Sequence, residues 1–537
     1  MARFPNIASD LASDERNLAH EDSNAAIQVF GRRFHKDQTP VEYLAEFLLV
    51  FASPKDDDHS HACSFPIYDS TPILKLSYHP PYRVSLKLFA FLGASKLETR
   101  HPVHIRSFKD GIAEIERRIN PGSAITPDDA VRLVQGLFSG FVGVAGDRTW
   151  TAHTFLPASG SLLAREILWK HGGNSGALKC PNLEWDEAWN GNYFNPSAHS
   201  FMARGGEVLY LQLTSLFNSH IDRPVAALLN GDQGATYDHL NMSSGLRALH
   251  SSLQTQLADL LRQGDQAIGP LGEFIAHAFT SAGVNGEPSK PTVADLGWVP
   301  SETAAEACLF AWETENICKA QHSGLQKISL LKDLCVLHVM RSLCFQSARV
   351  TAACQISGFA GGYAWVACAP SEAKDDNNKK LGINAYDAIE SLLYKSLRSA
   401  DLQPPERKEK EQWLDEGDDN VLRLFRKIGK QIGVIVPRKG SGMRITLPSH
   451  IVRLLVAALI QPGKRVRLDV FYERIFSHFG IAINQDFVGV ALAAYGMQHG
   501  ANGFGIGSSW FEEELRRGGY LIPLSDAVAL VINPYKG

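Results

Sequence analysis

The chain has few cysteines for its length, eight in 537 residues, and no two of them form a Cys-x-x-Cys pair. A disulfide-stapled scaffold and a zinc ribbon are thereby excluded. Six of the eight (Cys308, Cys318, Cys335, Cys344, Cys354 and Cys368) fall in one stretch and read as reduced thiols buried in a helical layer. Cys335 and His338 would share a helix face, but no second pair at matching spacing completes a zinc site. Long apolar runs are missing as well. The longest strongly apolar stretch near the C-terminus, Leu454 to Ile460, falls far short of the roughly 20 residues that span a bilayer. The first residues turn polar and acidic at Asp14, Glu15, Glu21 and Asp22, without the apolar core of a secretory signal. A cytoplasmic protein with no membrane contact is the expectation.

Catalytic motifs are equally scarce. Gly463-Lys464 is followed by Arg465 and lacks the earlier glycine of a P-loop. Gly173-Asn-Ser-Gly176 is one residue short of a nucleophile elbow. His-Glu-x-x-His is absent, and Gly358-Phe-Ala-Gly-Gly362 reads as a turn beside the apolar Tyr363 to Val366. The best metal candidate is Asp56-Asp57-Asp58-His59-Ser60-His61, whose carboxylates and imidazoles have the donor chemistry for a divalent cation in phosphodiester hydrolysis. Six consecutive polar residues provide no rigid support for such a site, so a plain loop is the competing reading. Glu287-Pro-Ser-Lys290 lies between prolines, which argues for a loop rather than a nuclease strand. Trp185 to Phe194 sets aromatics beside amides, a pattern for stacking bases, but Glu184, Asp186 and Glu187 disfavour a phosphate backbone, and core packing is the default. No motif calls for a cofactor.

What the sequence does hold is charge gathered in one place. The net charge is only −4, yet Val421 to Arg474 carries twelve Lys or Arg against Asp469 and Glu473, a net +10. Such concentration implies a polyanion or an acidic protein surface as counterpart. Ten of these cations, Arg423, Arg426, Lys427, Lys430, Arg438, Lys439, Arg444, Lys464, Arg465 and Arg467, are the candidate contacts to the phosphate backbone of DNA.

Apolar residues at 45% and charged residues at 20% are ordinary for a globular protein, and the length suggests several domains. The expected class is α+β, helix-rich and multidomain. Residues 1–125 read as a mixed α/β domain, 126–300 as an α+β domain, 301–400 as a helical domain, 401–420 as an acidic linker, and 421–537 as a basic unit. Val41 to Phe51 and Ser244 to Gln263 have helical periodicity, Glu207 to Leu213 reads as a strand, and Thr303-Ala-Ala-Glu306 as a capping box. In the last unit a cationic helix at Val421 to Ile432 precedes a hairpin, Val434 to Leu447, whose tip carries Arg438 and Lys439. A helix, a short basic strand at Lys464 to Leu468, further helices and a terminal hairpin follow. That order resembles a winged-helix domain, a variant of helix-turn-helix. Glu512, Glu513 and Glu514 on the helix before the last hairpin would repel phosphates, which places the expected contact on Arg423 to Arg467.

The sequence therefore predicts a non-catalytic, DNA-binding accessory or scaffolding subunit whose acidic body docks other proteins. A bacterial DNA-processing or anti-phage assembly would be a fitting setting, although no motif specifies it. Two alternatives stand beside it: a metal-dependent nuclease using Asp56 to His61, and a protein-interaction module without nucleic-acid binding.

Overall fold

A computed structural model describes residues 24–31, 34, 36, 38–55, 60–68, 76–84, 126, 129, 157, 159–163, 165–167, 205–229, 237–240, 245–280, 294–296, 299–352, 356–370, 376–406, 408–496, 507–525 and 528–537. The fold is helix-rich with small sheets, an α+β architecture. Residues 112–119 and 131–144, which the sequence also reads as helices, the aromatic segment 185–194, the Glu287 to Lys290 loop and four of the metal-candidate residues, Asp56 to His59, lie outside the described residues.

The centre is a stack of apolar helices. Helix α1 (Ala25–Phe30) is capped by Asn24, whose Oδ1 accepts from the Ala26 amide at 3.0 Å. Helix α2 (Pro40–Ala52) starts with proline in its first turn, and Glu42 reaches back to accept from the Thr39 amide at 2.6 Å. Helix α3 (Gly205–His220) covers the segment that the sequence reads as a strand at Glu207 to Leu213. The correction has a physical cause: residues 205–214 are buried all round, so no wet face reveals the helical period, and a short apolar run suits either element. Helix α4 (Leu246–Thr280) buries the predicted stripe of Leu246, Leu249, Leu253, Leu257 and Leu260. Helices α5 (Ala304–Lys319) and α6 (Gly324–Val350) follow. The box expected at Thr303 does not form; Thr303 donates its hydroxyl to the Pro300 carbonyl, and Glu306 instead accepts both edges of Arg349 at 2.8 and 2.9 Å.

Helices α2 and α3 approach closely because Gly205 and Gly206 have no side chain. A Cβ on Gly206 would lie 2.3 Å from the Glu46 Cβ and 2.6 Å from the Phe47 amide nitrogen and the Tyr43 carbonyl oxygen. Backbone atoms cannot swing aside, so Gly206→Ala is expected to cost about 1–3 kcal/mol through overpacking, outweighing the helix-propensity gain of about 1 kcal/mol. Denaturant unfolding of the variant checks this, and unchanged stability would show that the two helices part without loss.

Beyond α6, strand β5 (Trp365–Cys368) precedes helices α7 (Asp376–Ser396) and α8 (Lys410–Asp418); strands β1 to β4 come earlier, as the short pairs 77–78 with 294–295 and 82–84 with 165–167. A π turn, Asp419–Arg423, leads into α9 (Leu424–Gln431). The stretch that the sequence reads as a solvated acidic linker, 401–420, holds α8, with Trp413 buried and Gly417 against Ala25 of α1. Its acids find cations: Asp418 with Arg398 at 2.8 Å, Glu416 with Lys408 at 2.6 Å, and Asp419 with Lys36.

The remaining elements are β6 (Ile435–Val436), β7 (Arg444–Thr446), α10 (Ser449–Leu459), β8 (Arg465–Arg467), α11 (Leu468–Phe479), β9 (Ile481–Ala482), α12 (Gln485–Ala494), α13 (Ser509–Arg517), β10 (Leu521–Ser525) and β11 (Val528–Ile532). They form two sheets. One has the order β6-β7-β5-β9, in which β5 runs parallel to both β7 and β9. The other has the order β10-β11-β8, all antiparallel. A single apolar core runs from Ala25 to Val531 through both. Among the described residues no helix is long and apolar enough to cross a membrane.

Candidate nucleic-acid interface

The ten candidate cations divide by environment. On the π turn and α9, most charge is met from within. Arg423 is exposed and lies 3.7 Å from Asp419 one turn back. Arg426 grips Glu390 of α7 with both guanidinium edges, Nη2 to Oε2 at 2.9 Å, and Tyr386 donates its hydroxyl to the same carboxylate. Lys427 donates to the Lys36 carbonyl at 2.9 Å. Lys430 is half-buried and forms no ion pair with another described residue. The apolar side of α9 (Leu424, Phe425 and Ile428) is buried as expected.

Arg444 is buried, with 7% of its surface exposed. It sits on β7 between β6 and β5, where the Cβ-free surface of Gly382 on α7 comes close. A central strand covered by a helix leaves no route for this side chain to a large ligand.

The β6–β7 tip is different. Arg438 and Lys439 are exposed and carry no ion pair among the described residues. Gly440 and Gly442 have φ of 97° and 76°, conformations that only glycine adopts without strain, so the tip can be this tight. On β8, alternation turns Arg465 and Arg467 the same way with half-buried Val466 between them, and Lys464 immediately precedes them; all three cations are exposed. Arg467 is forked on Asp469 at 2.6 and 3.1 Å, whereas Lys464 and Arg465 carry no ion pair among the described residues. The structure thus groups Lys464, Arg465 and Arg467 at and just before one strand and Arg438 with Lys439 on one turn, and these belong to different sheets.

The acids on α13 are themselves engaged. Glu513 pairs with Arg516 and Arg517, Glu514 with Arg517 at 3.1 Å and with the Ser449 hydroxyl at 2.7 Å, and Glu512 accepts from Ser508 at 2.9 Å. Among the described residues no group of three or more His, Cys, Asp or Glu is placed to hold a metal ion. The two residues considered for zinc, Cys335 and His338, are both buried, and His338 is committed elsewhere.

That commitment is the feature the sequence reading missed. Arg341 of α6 and Glu313 of α5 are completely buried and bonded twice, at 2.7 and 2.9 Å. Arg341 also donates to the His478 carbonyl at 3.0 Å and to His338 Nδ1 at 2.9 Å. Because His338 Nδ1 accepts, its proton belongs on Nε2, which donates to Gln212 Oε1 at 2.9 Å; Gln212 in turn donates to Ser342. His478 Nδ1 donates to Glu313 Oε1 at 2.8 Å, and its Nε2 meets His239 Nε2 at 2.8 Å. Burial, aided by the Arg341 charge, holds His338 well below the ordinary histidine range, and burial also lowers His478 despite Glu313. Both imidazoles are neutral members of a clamp across α3, α5, α6 and α11. A signal was present in sequence: Arg341 interrupts the mostly apolar stretch Leu334 to Phe345 of α6, one turn after His338, and a charge there demands a buried partner.

Of the six clustered cysteines, four lie in the helical layer as expected, Cys368 is buried on β5, and Cys354 lies outside the described residues. Cys308 and Cys318 on α5 and Cys335 and Cys344 on α6 are buried, unpaired thiols, and burial pushes Cys308 and Cys318 up to about 12, far from nucleophilic use.

No protein-family model, no curated protein and no solved structure matches this chain.

Proposed function

We propose that the protein is a non-catalytic nucleic-acid-binding accessory subunit. Its C-terminal residues would form a winged-helix-like unit that grips the phosphate backbone of duplex DNA. The observation that carries this reading is a pair of exposed cations without ion-pair partners among the described residues, Lys464 just before and Arg465 on the strand that completes the three-stranded sheet β10-β11-β8. Helix, strand, helices and a terminal hairpin whose second strand pairs with the first strand is the connectivity of a winged helix. Arg438 and Lys439 on the other sheet add a second point of positive charge. Helix α13, with its paired acids, presents no cationic face for a groove, so backbone contact independent of sequence is the expected mode. The acidic body, net −12 over residues 1–420, would dock protein partners.

Neutralising Arg438, Lys439, Lys464 and Arg465 is expected to weaken duplex binding similarly across sequences. The slope of log affinity against log salt should fall by about 0.9 for each phosphate that the variant no longer neutralises. Fluorescence anisotropy with two unrelated duplexes over a salt series measures both. Equal slopes in variant and parent would remove these residues from the interface. Absence of duplex binding at low salt would favour a protein-docking role, for which Leu524 and Val528, 59% and 38% exposed on the last hairpin, offer an apolar surface.

A further inference from the structure

The sheet β10-β11-β8 has two outer strands, β10 and β8, and only one of them is closed. An antiparallel ladder alternates between residues that bond across to the partner and residues whose amide and carbonyl face away from it. Two bonds set the phase. The Ile532 amide donates to the Tyr520 carbonyl at 2.9 Å, on the β10 side, and the Asn533 amide donates to the Lys464 carbonyl at 3.0 Å, on the β8 side. Leu521 stands opposite Val531, and Val531 opposite Val466. The backbone of Leu521 and Pro523 therefore faces outward on β10, and that of Arg465 and Arg467 faces outward on β8.

Pro523 has no N–H, so β10 cannot carry the ladder past it. Strand β8 holds no proline. The Arg467 carbonyl starts α11, for which Arg467 is the N-cap. That leaves the Arg465 amide, the Arg465 carbonyl and the Arg467 amide directed away from β11, and no described strand lies on that side. Lys464, Arg465 and Arg467 are all exposed, so solvent reaches this edge. Side chains alternate as well. Val466 lies on the core face in a row with Val531 and Leu521, while Arg465 and Arg467 project from the other face. Asp469 answers Arg467, but Lys464 and Arg465 have no ion pair among the described residues.

We infer that β8 takes on a fourth strand, an extended acidic peptide of a protein partner in which acids alternate with apolar residues. Its backbone would exchange bonds with Arg465 and accept from the Arg467 amide. Its acids would stand beside Arg465 and Arg467, and an apolar residue between them would lengthen the row of Leu521, Val531 and Val466. A second copy of this edge is a poor occupant, because β8 against β8 sets like charges across the pair. The inference goes beyond the nucleic-acid reading. Duplex binding uses the cationic side chains alone, since a phosphate backbone has no amides to complete a ladder, so either reading can fail without the other.

The probe is the fluorescently labelled peptide acetyl-Thr-Glu-Val-Glu-Val-Glu-Thr-amide, added to the full chain at low salt and followed by anisotropy. Saturable binding is expected. Methylating alternate amide nitrogens of the peptide keeps its charge, and one of the two alternate sets faces β8. Methylation of that set should weaken binding about tenfold or more, the worth of the bonds lost, whereas methylation of the other set should leave it within about threefold. Arg465→Gln keeps the outward amide and should lower affinity by about two- to fivefold, the worth of one cross-strand charge pair. Arg465→Pro also removes the amide and should cost about tenfold more than Arg465→Gln. Equal binding of the two methylated peptides would show attraction by charge alone and overturn the inference on the parent chain, without recourse to any variant. A dimer of the parent that Arg465→Pro dissolves in sedimentation would assign the edge to a second copy, and would overturn it too.

Discussion

Glu313→Gln is expected to destabilise the protein by about 3–5 kcal/mol, the cost of leaving a buried guanidinium without its counter-charge. Glu313 and Arg341 have no exposed surface, and the carboxylate serves both Arg341 and His478. Glutamine keeps the shape and one acceptor oxygen but removes the charge, so the loss reports electrostatics rather than a cavity. Arg341 cannot turn towards water, because it is stacked over the Phe479 ring at 4.8 Å and bonded to α11 through the His478 carbonyl. Chemical unfolding of Glu313→Gln, Arg341→Met and the double variant forms a cycle. The double variant should lose much less than the sum of the two singles, since removing both charges also removes their desolvation. A loss below about 1 kcal/mol for Glu313→Gln, the range of exposed pairs, would mean that water reaches the clamp.

The same clamp makes stability sensitive to mild acid. His338 and His478 of the clamp and, outside it, buried His322 just before α6 are all held below the ordinary histidine value of 6.5. As pH falls through that value, the unfolded chain takes up protons that the folded chain refuses. The stability conferred by these neutral rings is therefore whole above about pH 6.5 and declines below it, down to about 4 for His322. Each ring contributes a slope of up to about 1.4 kcal/mol per pH unit. Glu46 and Asp333 act in the opposite sense, because burial holds both carboxyls above their ordinary values and the folded state then binds their protons first. The net fall is the balance of the two sets. In His338→Gln the decline between pH 6.5 and 5 should be shallower than in the parent by up to about 1.4 kcal/mol per unit. Parallel curves would show that His338 takes up its proton at the same pH in the folded and unfolded chain, which its burial and the bond that Nδ1 accepts from Arg341 oppose.

The parts of the structure legible in sequence are those whose signal is local. Amphipathic α4 announces itself by leucines at helical spacing, and Gly480, directly after Phe479, closes α11 in a left-handed conformation, φ 67°. The helices and hairpins read after Val421 come in the predicted order because Gly and Pro punctuate several of the turns between them, whereas the short, fully buried β9 carries no local signal and is missing from the sequence reading. Helix α3 is illegible because burial on every side erases the period. Acid composition at 401–420 conceals a helix, since Trp413 supplies its anchor and Lys36, Arg398 and Lys408 answer its charge from elsewhere in the fold or chain. For the candidate interface, charge counting locates the cations but not their occupancy. Glu390 lies 36 residues from Arg426, and only folding brings them together. The clamp joins residues 239, 313, 341 and 478, a grouping that no spacing rule contains.

The parallel placement of Trp365–Cys368 between 444–446 and 481–482 decides how the molecule can be divided. Cutting the chain ahead of Val421 would strip both flanks from that strand, baring its amides and carbonyls along two open rims, the kind of surface that recruits stray chains. The basic unit and the helical body therefore share one sheet. A load applied to β7 or β9 would pass into the helical body through the ladder that they share with 365–368 rather than across a pliant tether.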